Sequence, residues 1–413
     1  MRASASTSLA VKVVTVGLLL FASCALKDEN PVGFDLSSGS SGWEPTTLPP
    51  IYAEAWDGHR TTARAGGTTV MWVGSGRGYT ARGLVKFGLS DTTVIEVYEA
   101  KVVLGRPVTT DSAGGVFGLY ELLSPWTEST VGWEMAQEDS VPWETPGGDY
   151  DSLSPVAMDT LEASSEDTAL CFTMSPSLIQ SYLLGEEEEL GFLIRILDEE
   201  DSTFVRFGTR EAAIGAELEY SFRATSGDTT IVDTITAGVA EDAYIVEHAY
   251  ELPEGVLPIG SGVGYRCLLQ FPMPAELDST WTVNRARLVI HPDTTTFYST
   301  GSLTRIQAYR ITGEWDGDDT PLEGWVYGTG LLGSTTAEES LEVTTLVKGW
   351  TRGVWDNMGM ALRAENLVFN LSFVLLHTPA EQDTSLWPYL EITATPPAFG
   401  GVAKPSGAQC VRD

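Results

Sequence analysis

The side chains able to do chemistry in this 413-residue chain are few in kind and widely scattered. Four histidines, His59, His248, His291 and His377, stand far apart, with no H-x-x-x-H pair and no serine or cysteine nucleophile beside them. Zinc sites and serine hydrolases announce themselves by close ligand spacing or a G-x-S-x-G elbow, and neither pattern is present. Structural or surface histidines are therefore expected. Gly74-Ser75-Gly76-Arg77-Gly78 has the glycines of a phosphate cradle, but a strand-like apolar run follows it where a helix N-terminus is required. It reads as a turn. Carboxylates are so abundant that no catalytic pair stands out. Glu186-Glu187-Glu188-Glu189 reads as a solvated loop. Asp198-Glu199-Glu200-Asp201 and Asp316-Gly317-Asp318-Asp319 offer the hard oxygen ligands that Ca²⁺ takes, but without EF-hand spacing they read first as solvated turns. No other cofactor and no enzymatic activity are expected.

The basic residues tell more because they are scarce: 24 Lys and Arg against 57 Asp and Glu, a formal charge of −33. Such acidity excludes phosphate-backbone binding to nucleic acid and charge-driven docking on anionic lipid. Strand alternation puts Phe192, Ile194 and Ile196 on one face and Arg195 on the other. The same argument sets Lys101 against Ala100, Val102 and Leu104, and Lys86 against Val85 and Phe87. Lys86, Lys101 and Arg195 are thus expected on the solvent side of a sheet, with Gln270, Arg287 and Arg363 as later counterparts. Lys86, Lys101, Arg195, Arg287 and Arg363 are the candidate glycan contacts, unless neighbouring acids consume them as ion pairs. Sugar recognition combines aromatic faces with planar polar groups, and twelve Trp are available. Trp126 and Trp133 recur with the core pattern and are read as packing. An acidic polysaccharide would need the cationic patch or bridging Ca²⁺, whereas a neutral glycan fits the charge.

The elements that must carry these residues are strands. Short runs of Val, Leu, Ile and aromatics recur between Gly, Pro, Asp and Ser clusters, with 42 Gly and 21 Pro in all. Many run in two copies. Gly74 to Tyr79 with Leu84-Val85-Lys86-Phe87 answers Gly260 to Tyr265 with Leu268-Leu269-Gln270-Phe271. Ala100 to Leu104 answers Ala286 to Ile290, and Tyr120-Glu121-Leu122 with Trp126 and Trp133 answers Tyr309-Arg310-Ile311 with Trp315 and Trp325. Gly191 to Arg195 answers Gly359 to Arg363. A repeat this long means duplicated domains, not a solenoid. The expected fold is all-β: two tandem antiparallel β-sandwich, jelly-roll-like domains with one short helix each. The helices are placed at Ser175 to Leu184, capped by serine with Pro176 in the first turn, and at Leu341 to Trp350. The domains are expected at 51–225 and 226–395, divided at Thr225-Ser226-Gly227-Asp228, with a flexible tail at 396–413. Cys171 and Cys267 lie in apolar runs and are expected as buried free thiols.

Residues 1–23 read as an export signal: Arg2, an apolar stretch from Val11 to Phe21, and Ala22-Ser23 before Cys24. The small residues before Cys24 resemble a bacterial lipobox, which implies lipidation of Cys24 and a flexible tether over 24–50, rich in Ser, Gly and Pro. Removing Arg2 and Lys12 takes the mature charge to −35. The order Arg82, Leu84-Val85-Lys86-Phe87, Pro125-Trp126-Thr127-Glu128, Trp133 and Val205-Arg206-Phe207-Gly208-Thr209-Arg210-Glu211 resembles the DNRLRE-type β-sandwich modules of secreted bacterial proteins. Some of those modules are carbohydrate-binding modules of polysaccharide-degrading enzymes. In the second copy, Gly313-Glu314-Trp315-Asp316 stands where Pro-Trp-Thr-Glu does in the first. The resemblance implies a non-catalytic, lipid-anchored cell-envelope protein, at the outer membrane or cell surface, with weak recognition of polysaccharide. The competing expectation is a structural or adhesive protein making protein–protein contacts.

Overall fold

The computed structural model describes residues 45–397, apart from 62, 90–93, 106–107, 110–113, 138–140, 163–168, 200–202, 213–214, 227–228 and 253. The signal segment, Cys24 and most of the tether, and the tail from 398, lie outside the described residues. No described helix is long and apolar enough to cross a membrane.

The chain is all-β, built from antiparallel sheets, and the same order of strand pairing occurs twice. Sheet I carries Ala157–Leu161, Gly115–Glu121, Phe192–Ile196, Tyr79–Phe87 and the second half of the long strand Thr229–His248. Val70–Gly76 and Thr203–Gly208 extend it beside the start of Tyr79–Phe87. Sheet II runs from the first half of Thr229–His248 through Ala216–Ser226 and Val94–Gly105 to Ala169–Met174. Val85, Phe87, Phe192 and Ile194 from sheet I meet Val102, Leu104, Phe172 and Leu218 from sheet II in one core. Sheets III and IV repeat this plan. Sheet III has Ala55–Thr61, Gly264–Gln270, Met360–Ala364, Thr304–Ile311 and Leu322–Leu332 in that order. Sheet IV has Thr46–Thr47 and Ile51–Tyr52 on Tyr389–Thr395, then Thr282–Ile290 and Glu339–Glu342.

The strand that bridges each pair of sheets comes from an unexpected part of the chain. Residues 46–61 complete sheets III and IV, while 229–248 complete sheets I and II. The strand pairing therefore crosses the expected division at Thr225–Asp228, where Ser226 and Thr229 pair across a hairpin. The end of the expected 24–50 tether is likewise hydrogen-bonded strand.

A seam of aromatic side chains joins the two pairs. The Tyr79 hydroxyl donates to Ser372 O at 2.7 Å, Tyr244 to Val368 O at 2.5 Å, and Trp72 Nε1 to Phe369 O at 3.0 Å. His248 stacks on Tyr79 with centroids 4.1 Å apart and meets the Tyr265 hydroxyl at 2.8 Å. Burial pushes the phenols of Tyr79 and Tyr244 well up.

Local chemistry explains the repeated residues. Arg77 and Gly78, both at positive φ, form the two-residue turn of a hairpin, as the Gly-rich motif predicts. Gly191 and Gly359 stand at φ 100° and 93°. A Cβ there would lie 2.7 Å from the Val85 carbonyl and 2.5 Å from that of Leu269. Each follows a residue whose carbonyl accepts a tryptophan N–H: Leu190 from Trp126 at 2.9 Å and Met358 from Trp315 at 2.8 Å. Gly191→Ala and Gly359→Ala are each expected to cost about 2 kcal/mol or more from backbone strain. The urea midpoint should fall with the m-value unchanged, and an unmoved midpoint would refute the assignment.

Several expectations need correction. Cys267 is buried but Cys171 is exposed, because Leu170, Phe172 and Met174 take the inner face of their strand. Trp325 is no equivalent of buried Trp133: it is 74% exposed. The helix Pro176–Leu184 is present with Pro first, but Ser175 makes no cap bond and its hydroxyl pairs with Ser177. The second helix is Thr344–Thr351, displaced because Leu341 belongs to a strand. Glu189 is partly buried and accepts the Phe87 N–H at 2.8 Å, unlike the exposed Glu186 to Glu188.

Candidate functional site

The five basic candidates do not form one patch. Alternation assigns a side only relative to a strand's own sheet, and a sandwich has two outward faces pointing apart. Lys86 and Arg195 lie on the outer face of sheet I, Lys101 on that of sheet II, Arg363 on sheet III and Arg287 on sheet IV. The expected common face for Lys86, Lys101 and Arg195 is thus corrected.

On sheet I the outer face is covered. Trp126, Trp133 and Trp143, from the segment that follows Leu122, pack onto Leu84, Tyr120 and Leu193. Arg82 lies 4.6 Å from the Trp133 centroid, donates to Gly147 O at 2.8 Å and shares Glu199 with Arg195. Arg195 bonds the Tyr150 hydroxyl at 2.7 Å and Glu199 at 2.8 Å. Lys86 acts on the half-buried Glu189, whose pKa burial raises and Lys86 opposes. Burial likewise raises the Glu247 carboxyl against the pull of Arg82 and Arg60. These arginines brace an aromatic cover, with guanidinium planes spent on rings, carbonyls and carboxylates. Sheet III repeats the device more simply: Arg266 donates to Gly317 O at 2.6 Å, and Arg363 lies over Tyr309 at 4.2 Å while bonding its hydroxyl. Sequence reasoning placed Arg82 in a motif but missed this brace, because its partners Gly147, Trp133 and Glu199 come from distant loops.

On sheet II the outer face is open. Lys101 stands opposite Glu219 in register and its ammonium meets that carboxylate at 2.7 Å, which holds the Lys101 pKa up. The pair lies in a groove of about 560 Å³ with Tyr98, Glu99, Thr173, Ser221 and Thr234. Ser221 and Thr234 hydroxyls bond each other at 2.9 Å, and Tyr98 is exposed at the rim. A band of hydroxyls, one cation, carboxylates and an aromatic ring can hydrogen-bond sugar hydroxyls and cover an apolar sugar face. Arg287 occupies the matching place on sheet IV, paired with Glu391 at 2.5 Å.

The histidines take structural contacts: His59 with Asp57 at 3.1 Å, His291 with Leu386 O at 3.1 Å, His377 with Glu381 at 2.7 Å, and His248 in the seam. Of the two acidic loops weighed as Ca²⁺ ligands, Glu200 and Asp201 in the first lie outside the described residues. The Asp316–Asp319 turn instead offers its Gly317 carbonyl to Arg266. One acidic cluster was not anticipated. Glu128, Glu211 and Asp242 converge, and burial raises the Asp242 carboxyl to about 6.

The fold and these faces define an all-β protein of antiparallel sheets in which sheet I has a braced outer face and sheet II an open one. Comparison with known proteins matches the chain to no family model and to no curated protein.

Proposed function

We propose that the chain is a non-catalytic, lipid-anchored cell-envelope protein whose two DNRLRE-like jelly-roll modules recognise neutral glycan weakly through the open face of sheet II. The groove around Lys101 and Glu219 carries the reading, because it combines an open groove with hydroxyls and an aromatic rim at a basic candidate position. Lys101 is matched by Glu219, so the groove offers no excess positive charge to an acidic polymer, and the overall charge of −33 repels one. Export and anchoring rest on the lipobox-like residues before Cys24, which lies outside the described residues.

The test is a glycan array followed by calorimetry on the folded protein, with and without Ca²⁺. Saturable binding to a neutral polysaccharide is expected, weakened about tenfold or more by Lys101→Ala and Glu219→Ala, a loss of roughly 1.4 kcal/mol. An array blank throughout, or binding indifferent to both substitutions, would remove this reading.

A second reading has its own observation. An apolar groove of about 570 Å³, lined by Leu48, Pro50, Tyr52, Pro272, Leu277 and Trp281, suits a protein contact in a structural or adhesive role. A single partner recovered by cross-linking on intact cells, and retained by Lys101→Ala, would favour it.

A further inference from the structure

We propose that Glu128, Glu211 and Asp242 form a binding site for one hard divalent cation, with Ca²⁺ the best fit. Each residue offers one carboxylate oxygen, and the three lie within 4.8 Å of one another. Two oxygens on opposite sides of one Ca²⁺, at about 2.4 Å each, are separated by about that distance. Three distant parts of the chain build the cluster: the Pro125-Trp126-Thr127-Glu128 stretch, the turn after Thr203–Gly208, and the middle of Thr229–His248. Two of these stretches are the ones that stood out in the sequence with no role assigned to their acids.

The partners of the three carboxylates are unequal. Arg210 Nη2 bonds Glu128 at 2.9 and 3.1 Å and Glu211 at 3.2 Å, holding those two together. Asp242 is only 2% exposed, and its Oδ2 accepts the Arg210 backbone N–H at 2.6 Å. Its Oδ1 is buried and has no hydrogen-bond partner. Buried carboxylates are otherwise paired or bound to metal, because an unmatched charge in low dielectric is costly. Three carboxylates against one guanidinium leave two negative charges, which a divalent cation neutralises. Oxygen-only ligands select Ca²⁺ or Mg²⁺ over softer metals, and Ca²⁺ accepts irregular oxygen sets where Mg²⁺ demands near-ideal octahedral geometry.

Among the described residues, the second pair of sheets has no matching cluster. Trp315 takes the place of Trp126 in its hydrogen bond, which puts Gly317 where Glu128 stands, and Gly317 serves Arg266. One ion per chain is therefore expected. The site is independent of glycan recognition and stands or falls apart from it.

The experiment uses the full chain, stripped with chelator and titrated with CaCl₂ by calorimetry, and with Tb³⁺ read by tryptophan-sensitised luminescence. Saturation at one ion per chain is expected, with a melting temperature that rises on adding Ca²⁺. Asp242→Asn and Glu211→Gln should each weaken binding tenfold or more and abolish the thermal shift, with circular dichroism showing both variants folded. Glu211→Gln, at an exposed side chain, keeps the test valid if Asp242→Asn folds poorly. No saturable signal from folded wild-type protein would overturn the proposal, and so would unchanged affinity in Glu211→Gln. Competition by Mg²⁺ at equal concentration would overturn the choice of Ca²⁺.

Discussion

A fragment of residues 51–225 is expected to aggregate or to remain loosely packed, whereas a fragment of residues 63–249 is expected to fold cooperatively. The first lacks the strand Thr229–His248, so Tyr79–Phe87 and Ala216–Ser226 each lose a neighbour along their length. It also loses Tyr244, Ile245 and Val246 from the core. At roughly 1.5–3 kcal/mol for each large apolar side chain, these three alone approach the whole stability of an ordinary domain. The exposed strand edge would then recruit other chains. Residues 51–61 remain in this fragment with nothing to pair, since their partners are Gly264–Gln270 and Tyr389–Thr395. The longer fragment keeps sheets I and II complete and exposes only the seam around Tyr79. Size-exclusion chromatography with near-ultraviolet circular dichroism separates the outcomes. A monomeric 51–225 fragment with a sharp unfolding transition would show that the bridging strand is dispensable.

Why the sequence shows the strands but hides the exchange follows from what periodicity measures. Phe192–Ile196 announces its core face because Phe192, Ile194 and Ile196 recur at every second position, and the structure buries all three in the common core, while Leu193 on the other face is buried under the aromatic cover. The repeated Gly191 and Gly359 announce a backbone constraint, visible because both copies keep it. Ala55-Trp56-Asp57-Gly58-His59-Arg60-Thr61 has no such alternation, and adjacency assigns it to the sheet that follows in sequence. Its true partner, Gly264–Gln270, lies some two hundred residues away. The same distance hid the acidic cluster, whose members are spread from Glu128 to Asp242. The apolar run around Cys171 hides its exposure, because on a sheet with an open outer face only every second residue of such a run is buried. Alternation gives the sides of Lys101 and Arg195 on their own strands, but those strands belong to different sheets. Local pattern carries the side of a strand, and only tertiary pairing says which way that side points.

Acid is expected to weaken the protein through His248 by up to roughly 3 kcal/mol between neutral pH and about pH 4. Burial lowers the His248 pKa to about 4, with the Arg77 carbonyl opposing and Arg60 assisting. Its ring is held neutral by two fixed partners. The Arg77 carbonyl, 3.3 Å from Nε2, can only accept, so Nε2 carries the proton and Nδ1 accepts from the Tyr265 hydroxyl. Tyr79 stacks on one side, while Tyr250 and Phe373 pack nearby. In the unfolded chain the imidazole takes up a proton near its ordinary value of about 6.5. The folded state resists protonation until about pH 4, so the unfolded state binds more protons throughout that interval. Stability is therefore complete above about 6.5 and falls as the pH drops towards 4. Carboxylates also titrate at the lower end, so the informative quantity is the difference from a His248→Asn variant across pH 4–7. Wild type should lose more stability on acidification than the variant, measured by urea unfolding, and its His248 ring resonances should stay in the neutral position at pH 5.5. A ring that titrates near 6.5, or parallel losses in both proteins, would show that the seam does not depend on a neutral imidazole. Since His248 lies where Tyr79 meets Tyr265, the same protonation acts on the joint between the two pairs of sheets. Mild acid should accordingly loosen that joint before it unfolds the cores of either pair.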